Sequence, residues 1–250
     1  MKKIAFFFLS TFLLAACSQT EKTSATDEDT VEGVASSDES EAGAQPLAAV
    51  CVWDNLSVRA EPNSKSKYIT SISIGETLTL LGESAVDSAD NNRTYAKVSL
   101  ADGKEGWAQS LLVIEGGMAA VFTDDVSIYK RPDLLTKSDK SFSQMDIVAI
   151  KSLQDDWAEV VGKRNEGTWI ETGWVKKENL SPKPVDIAAA KFGRIALNEK
   201  DMAKRKQAIS DIVNNPDFSG STFIPRLEGE LEGMDIDPLA EPADSVSTGQ

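Results

Sequence analysis

Residues 56–62 read Leu-Ser-Val-Arg-Ala-Glu-Pro, and residues 126–132 read Val-Ser-Ile-Tyr-Lys-Arg-Pro. In both stretches, apolar residues occupy the first and third places, a serine lies between them, and a proline closes the stretch. The second stretch begins 70 residues after the first, at position 126 against position 56. A repeat at this distance predicts two tandem copies of one small module.

The first module is predicted to be a small β-barrel over residues 49–115. Apolar and polar residues alternate at 77–80 and at 95–100, which is typical of half-buried strands. Asp102-Gly103 is a tight-turn signal that joins the second of these strands to residues 105–108 as a hairpin. Residues 84–93 have the composition of a polar loop. Several short strands separated by turn residues are typical of a small barrel.

The second module, over residues 118–181, repeats these features in the same order. Residues 145–150 correspond to 76–81, residues 157–160 correspond to 95–98, and Gly173-Trp174-Val175 corresponds to Gly106-Trp107-Ala108. Gly116-Gly117 marks a very short junction between the modules. We therefore predict a second, divergent barrel.

The ordered set of motifs resembles the bacterial SH3 domain family. The family pattern is Leu-x-Val-Arg-x-x-Pro, a central Gly-x-x-Leu/Val-x-Val, an aromatic-x-Lys-Val strand, and Gly-Trp-Val/Ala after a turn. The first module matches at Leu56, Val58, Arg59, Pro62, Gly75, Leu78, Leu80, Tyr95, Lys97, Val98, Gly103, Gly106 and Trp107. The second module departs at Tyr129 in place of the arginine, at Gln144 or Met145 in place of the glycine, and at residues 169–172 before Gly173. The resemblance implies two SH3-like barrels and recognition of cell-wall peptide or glycan.

Alternation also predicts which side chains fill the barrel interiors, because alternate residues of a strand share a face. In the first module these are Leu56, Val58, Leu78, Leu80, Val98 and Ala108. In the second they are Val126, Ile128, Ile147, Ala149 and Val160.

The N-terminus has the pattern of an export signal. Two lysines precede an apolar stretch of about a dozen residues, and Leu14-Ala15-Ala16-Cys17 looks like a lipobox. The alternative is an ordinary signal peptide with an incidental cysteine. Residues 1–17 are thus predicted to be a lipoprotein signal, with acyl chains on Cys17 as a membrane anchor. Ser18 after the cysteine indicates outer-membrane sorting in the bacterial cell envelope, with the periplasmic or surface face left open.

Two acidic segments account for much of the formal net charge of −14. Residues 18–48 hold almost no large apolar side chains, so they are predicted to form a disordered linker. Residues 215–250 are predicted to be an acidic disordered tail, in which Phe223-Ile224-Pro225 is the one short segment able to dock. An acidic chain with a sequence pI of about 4.5 argues against nucleic acid as a partner.

A helical segment is predicted over residues 185–214, as one kinked helix or two. Apolar residues recur there at steps of three and four, with Pro184 in the first turn. Asn198 is a candidate cap for a second helix. The apolar stripe needs a partner, most simply the side of a barrel.

The chain contains no histidine, so catalysis by Ser-His-Asp or Cys-His arrangements is excluded, and the commonest metal ligand is missing. Cys51 lies in an apolar run and is predicted to be a buried, inert thiol. No glycine-rich phosphate loop is present. We predict that the protein is not an enzyme and uses neither a cofactor nor a metal.

The candidates for ligand binding are Arg59, Tyr68, Trp107, Tyr129, Trp169 and Trp174. Arg59 is expected either to form a salt bridge with Glu61 or Asp102 or to contact a ligand. Trp107 and Trp174 each follow a glycine and either plug one end of a barrel or form a wall of a groove. Trp169 lies in a polar turn, where it serves recognition or packs over the neighbouring module.

These features predict a non-catalytic, membrane-anchored lipoprotein, expected to be a monomer, whose barrels bind cell-wall peptide or glycan or another envelope ligand. The alternative is a scaffold or assembly factor that docks on another envelope protein through its barrels and C-terminal helix. Exposed aromatic residues in a groove between the modules would favour the first hypothesis, and a continuous apolar patch on the helix would favour the second.

Overall fold

The first half of the structure, a computed structural model that describes residues 46–165 and 167–235, is a seven-stranded antiparallel sheet. Its spatial order is β3-β2-β6-β5-β4-β1-β7. The strands are β1 (Leu47–Cys51), β2 (Leu56–Arg59), β3 (Tyr68–Ile72), β4 (Thr77–Asp87), β5 (Arg93–Ser99), β6 (Glu105–Gln109) and β7 (Val113–Glu115). All seven contribute buried side chains to one cluster, so the sheet curls around its own core; we call this unit barrel 1.

A second sheet of seven strands repeats the same connectivity, in the order β10-β9-β13-β12-β11-β8-β14. We call this unit barrel 2. Its strands are β8 (Met118–Phe122), β9 (Val126–Tyr129), β10 (Lys137–Phe142), β11 (Ile147–Gln154), β12 (Trp157–Lys163), β13 (Ile170–Lys176) and β14 (Leu180–Ser181). The predicted mainly β architecture is therefore confirmed.

Three helices follow barrel 2: α1 (Pro184–Leu197), α2 (Met202–Val213) and α3 (Ile224–Asp235). Pro184 occupies the first turn of α1, as predicted. Asn198 ends α1 and does not start α2, whose cap is Asp201, accepting a hydrogen bond from the Lys204 amide at 3.0 Å. None of the helices described in residues 46–165 and 167–235 is long and apolar enough to cross a membrane.

The predicted interior of barrel 1 is confirmed, with Leu80 only partly buried. In barrel 2 the prediction for Ile147 and Ala149 is wrong, because Val148 and Ile150 point inward instead. Ile147 packs against the helices, and Ala149 packs toward barrel 1. Residues 145–150 are all buried, so β11 is covered on both faces. A strand of this kind has no polar alternation to show which set of side chains faces inward.

Two other expectations about segment boundaries are wrong. The predicted loop at 84–93 is too long, because β4 continues to Asp87 and β5 begins at Arg93, which leaves a turn only at 88–92. β1 begins at Leu47, inside the predicted linker. The predicted signal segment with Cys17 and the rest of the linker through residue 45 lie outside the described residues, as does the tail beyond residue 235.

The expectation of a disordered tail from residue 215 is wrong for its first part, because α3 forms there. Phe223 and Leu227 are fully buried and pack with Ile209 of α2 and with Met145 of barrel 2. Phe223 directly precedes α3, and the Leu227 amide donates to its carbonyl oxygen at 3.1 Å, so the two side chains are one turn apart. Their burial stabilises α3 despite its acidic residues and two glycines.

The barrels and α1 meet at a shared apolar cluster. Val50 and Val52 of barrel 1 pack with Ala119 and Ala149 of barrel 2, and Ile187 of α1 joins them. A Cβ atom added at Gly75 would lie 2.9 Å from Ile187 Cγ2 and 3.2 Å from Ile147 Cγ2. Barrel 1 therefore packs directly on both barrel 2 and the first helix.

Asp186, in the first turn of α1, ties the helices together. Its carboxylate accepts hydrogen bonds from Ser181 Oγ at 2.5 Å, Ser221 Oγ at 2.9 Å and the Thr222 amide at 2.7 Å. Burial alone would raise the pKa of the Asp186 carboxyl, but these donors outweigh it and hold the pKa below its ordinary value of 3.8. An acid whose pKa is lowered by folding stabilises the fold above its unfolded pKa, and that contribution is lost as the pH falls.

Replacing Asp186 by asparagine is expected to lower the free energy of unfolding at pH 7 by about 1–3 kcal/mol, because charge-assisted hydrogen bonds are lost. The difference from the wild type should shrink as the pH falls below about 4, because Asp186 of the unfolded chain then takes up a proton while the native carboxylate, with its lowered pKa, is still ionised. Urea unfolding at several pH values measures this, with exposed Asp139→Asn as the control. A difference that stays constant down to about pH 2 would contradict the role of the Asp186 charge.

Candidate functional site

Three of the predicted ligand-binding residues lie side by side on the outer face of barrel 1. Arg59 of β2 is directly opposite Tyr68 of β3 on one side and Trp107 of β6 on the other. Trp107 is in turn opposite Lys97 of β5. Directly opposed residues share one face of a sheet, so these four side chains form a row across four strands, which we call the barrel 1 row. Tyr68 is 53% exposed, and the other three are half-buried.

Arg59 does not form the expected salt bridge with Glu61 or Asp102. Its Nη1 donates a hydrogen bond to the Ser66 carbonyl oxygen at 2.7 Å, and the carboxylate of Asp102 pairs with Lys104 instead. The loop between β2 and β3 folds back over Arg59, because the Glu61 amide donates to Ser66 Oγ at 2.8 Å. The guanidinium is thus held in position by a neutral carbonyl and keeps its full charge.

A cleft of about 220 Å³ opens beside the barrel 1 row. Two guanidinium groups, those of Arg59 and Arg93, contribute to its lining, and Arg93 is paired with Asp90 at 3.2 Å. The remaining lining residues are Trp53, Asn55, Leu56, Ser57, Ser64, Tyr95, Gln109 and Leu112. Aromatic rings, amides and a fixed cation are groups that recognise a polar polymer such as a peptide or glycan.

The equivalent face of barrel 2 is packed differently. Tyr129 and Trp174 are opposite each other, as Arg59 and Trp107 are in barrel 1. The Tyr129 ring meets Trp157 edge-on at 4.9 Å, and Lys176 Nζ lies 4.1 Å from the centroid of Trp157. The rings contact one another here, and Trp157 is buried. The replacement of the arginine by Tyr129 thus gives the two barrels different surfaces at this place.

Trp169 belongs neither to the barrel 1 row nor to the aromatic cluster of Tyr129 and Trp157 in barrel 2. It lies in the loop before β13 and is 73% exposed, as expected for a residue of a polar turn. Trp107 and Trp174 lie on the outer faces of the two sheets, opposite Arg59 and Tyr129 respectively, and neither lines the cleft at Arg59.

Trp53 is a cleft residue that is not among the ligand-binding candidates predicted from the sequence. It lines the barrel 1 cleft and also a second cleft of about 430 Å³ between the barrels and α1. Trp53 follows the buried residues 49–52 and precedes the polar pair Asp54-Asn55, so the sequence places an aromatic side chain at the end of a strand. The sequence did not show that barrel 2 packs close to this position.

The two buried carboxylates each have their own partners. Asp146 accepts from the Ser143 amide at 2.8 Å, and its Oδ1 lies 3.0 Å from Nη1 of Arg194 in α1. Burial raises the pKa of the Asp146 carboxyl, while the Ser143 amide and Arg194 act in the opposite direction. Asp186 is held by the hydroxyl and amide donors described above. Among residues 46–165 and 167–235, no group of three or more Cys, Asp or Glu side chains is arranged to hold a metal ion.

Cys51 is fully buried, as predicted. Its Sγ donates a hydrogen bond to the Trp53 carbonyl oxygen at 3.0 Å. Burial raises the pKa of the Cys51 thiol to about 12. Since the thiolate is the reactive form, this cysteine is inert at neutral pH.

Comparison with known proteins identifies one domain. Residues 54–113 match the bacterial SH3 domain family, and this stretch contains the whole barrel 1 row. Among curated proteins, the sequence has no match. The structure overlaps those of NlpC2 and NlpC1 from Trichomonas vaginalis with 14% and 11% sequence identity and a TM-score of 0.23 in each case. The overlap covers 62% and 68% of this chain but 54% and 52% of those chains, so this chain spans about half their length. Such TM-scores are too low to establish a common fold.

Proposed function

We propose that this protein is a non-catalytic lipoprotein of the bacterial cell envelope that binds cell-wall peptide or glycan through barrel 1. A lipid on Cys17 anchors it to a membrane, the outer membrane by the identity of Ser18, and residues 18–45 form the linker. The observation that carries the proposal is the coincidence of two features. The stretch that matches the bacterial SH3 family contains Arg59, Tyr68 and Trp107 side by side, and Arg59 also lines a cleft.

Barrel 2, by this proposal, is a divergent second SH3-like domain with a supporting role. It repeats the strand order of barrel 1, but its aromatic residues contact each other instead of lining an open groove. The fixed cation at Arg59 is replaced there by Tyr129. Barrel 2 therefore contributes an interface to barrel 1 and a platform for the helices.

Pelleting with purified peptidoglycan sacculi tests the proposal, using a soluble chain of residues 18–250. Arg59→Ala and Trp107→Ala are each expected to weaken binding about tenfold, because aromatic and arginine side chains at a binding site contribute most of its affinity. Trp174→Ala, at the equivalent place in barrel 2, is the matched control and should change binding less than about twofold.

Thermal melts show that each variant is folded before its binding is compared. Equal losses for Trp107→Ala and Trp174→Ala would contradict the assignment of the site to barrel 1. A wild-type chain that stays in the supernatant at low and moderate salt would contradict wall binding itself. The soluble chain keeps residues 215–235, because Phe223 and Leu227 in that stretch are buried against α2 and barrel 2.

The second candidate function is a scaffold that docks on another envelope protein, and one observation favours it. An apolar groove of about 570 Å³ runs between barrel 1 and α1, and Met118 and Phe192 beside it are each 45% exposed. Ile195 and Met202, each 58% exposed, extend the apolar surface of the helices.

A photo-crosslinker at position 192 in living cells tests this second candidate and should give one discrete adduct. The adduct should be absent when the crosslinker replaces Leu135, which is 94% exposed and lies outside the groove. Identical products at both positions would contradict the scaffold function.

A further inference from the structure

The cleft between the barrels is built by three separate parts of the chain. It measures about 430 Å³, and Trp53 of barrel 1, Lys163 of barrel 2 and Lys191 of α1 contribute to its lining. The other lining residues are Asp54, Ile74, Ile147, Arg194, Ile195 and Asn198. Because the cluster of Val50, Val52, Ala119 and Ala149 holds the barrels together, this cleft exists only in the assembled fold.

Two lysine side chains at the cleft, those of Lys163 and Lys191, contact aromatic rings instead of carboxylates. Lys163 Nζ lies 4.8 Å from the centroid of the Trp53 ring, and Lys191 Nζ lies 5.5 Å from that of Phe192. Within residues 46–165 and 167–235, neither lysine forms an ion pair. An aromatic ring orients an ammonium group without neutralising it.

Arg194 has a different role in the same cleft. Its two terminal nitrogens contact the buried carboxylate of Asp146 at 3.0 Å and Asn165 Oδ1 at 3.1 Å. The arginine therefore fixes α1 on barrel 2, and its charge is compensated. In the described part of the chain, Asp54 is the one carboxylate that lines the cleft.

The rest of the lining is apolar. Ile74, Ile147 and Ile195 supply aliphatic surface, and Trp53 supplies an aromatic ring. A ligand that matches this lining has a small anionic group and an apolar part next to it. The formal net charge of −14 disfavours long polyanions, so the anion has to be compact and act locally.

We propose that this cleft binds the terminal carboxylate of a cell-wall peptide, with Lys163 and Lys191 pairing the carboxylate and Trp53 contacting the adjoining aliphatic side chain. The inference rests on the proposed function, since it names the part of the wall polymer that enters a second site. It also explains how an acidic protein holds an acidic wall peptide: the two lysines form a local positive site. Trp53 borders both clefts, so one peptide strand on barrel 1 can continue into this site.

The test uses the soluble chain of residues 18–250 with ¹⁵N-labelled tryptophan, which has five indole N–H signals. The Trp53→Phe variant assigns the Trp53 signal. Acetyl-D-alanyl-D-alanine is titrated beside its C-terminal amide and beside acetyl-L-alanyl-L-alanine, which stands for an ordinary protein C-terminus. The D,D carboxylate should shift the Trp53 signal saturably at millimolar concentration, and the amide should bind at least about tenfold more weakly.

Charge variants locate the carboxylate. Lys163→Gln and Lys191→Gln are each expected to weaken the D,D peptide by about three- to tenfold, more so at low salt. Lys137→Gln, at an exposed position of β10, is the matched control and should leave affinity unchanged. Equal binding of acid and amide, a Trp53 signal that does not move, or an equal loss in the Lys137 variant would overturn the inference. Tighter binding of the L,L form would overturn the assignment to the wall.

Failure of this inference and failure of the proposed function give different results. If sacculi still pellet the Lys163→Gln/Lys191→Gln double variant as well as the wild type and the Trp53 signal is static, the carboxylate site is wrong while wall binding stands. If the peptide shifts Trp53 but the wild-type chain does not pellet with sacculi, the site stands and its wall ligand is wrong.

Discussion

Replacing Phe223 by alanine is expected to lower the free energy of unfolding by about 3–5 kcal/mol, the usual cost of truncating a fully buried phenylalanine. Phe223 is 1% exposed and packs in the cluster that joins barrel 2 to all three helices. The expected loss is large because the cavity would open between elements that cannot close it without moving α3. Urea unfolding followed by circular dichroism measures the change.

Leu135→Ala provides the control for that experiment. Leu135 is 94% exposed, so its truncation should change stability by less than about 0.5 kcal/mol. A Phe223→Ala variant that loses less than about 1 kcal/mol would show that α3 is not part of the folded unit. That result would also restore the expectation of a structureless segment from residue 215.

Replacing Gly75 by alanine is the second large effect, expected at about 2–5 kcal/mol. Gly75 has a φ of +80°, a conformation that costs an L-residue about 1–2 kcal/mol. The new Cβ would also lie 2.9 Å from Ile187 Cγ2, and relieving this overlap in a packed core costs about 1–3 kcal/mol more. The same denaturation measurement reports the sum of the two costs.

Gly103→Ala separates these two contributions. Gly103 has nearly the same φ, +78°, but a Cβ there would meet nothing within 4 Å. Its substitution should therefore cost only the conformational part, about 1–2 kcal/mol. Equal losses at the two glycines would mean that the contact of barrel 1 with α1 and barrel 2 is loose enough to absorb a methyl group.

The repeated motif predicted much of the fold because close backbone packing allows only certain residues at some of its positions, and so these residues recur in both barrels. Gly106 and Gly173 precede the tryptophans in both barrels because an added Cβ would lie 2.6 Å and 2.4 Å from Val58 and Ile128 side chains, respectively. The glycine equivalent to Gly75 was ambiguous between Gln144 and Met145. Met145 takes that place with a φ of +68°, and its amide donates to the Phe122 carbonyl oxygen as that of Gly75 donates to Cys51. Residues 146–151, and not 145–150, therefore correspond to 76–81, and this shift of one residue moves the predicted inward set from Val148 and Ile150 to Ile147 and Ala149.

Features that depend on distant packing could not be read from local pattern. Ile147 and Ala149 belong to a continuous apolar run, and the partners on each face decide which side chains enter the barrel. Arg59 was expected to meet a carboxylate, but the β2–β3 loop supplies a carbonyl oxygen at 2.7 Å instead. The inter-barrel cleft depends on residues from position 53 to position 198, whose proximity follows from the docking of three units.

The two barrels share one strand order but differ in how their outer faces are packed. Both place a pair of residues on the outer face, Arg59 with Trp107 and Tyr129 with Trp174. In barrel 1 the arginine of the pair lines an open cleft, whereas in barrel 2 the tyrosine packs edge-on against a buried Trp157. Barrel 2 and α1 supply Lys163 and Lys191, which line the inter-barrel cleft together with Trp53, and Lys163 lies over the Trp53 ring.

The most direct measurement of the central claim is a saturation isotherm of the soluble chain on sacculi, in which bound protein and released wall fragments are quantified in the same tubes. A binder without catalytic activity predicts saturable pelleting, with no soluble fragments above the protein-free control after prolonged incubation. Linear, non-saturating pelleting would contradict a specific site, and fragments that accumulate with time and protein concentration would contradict the absence of catalysis.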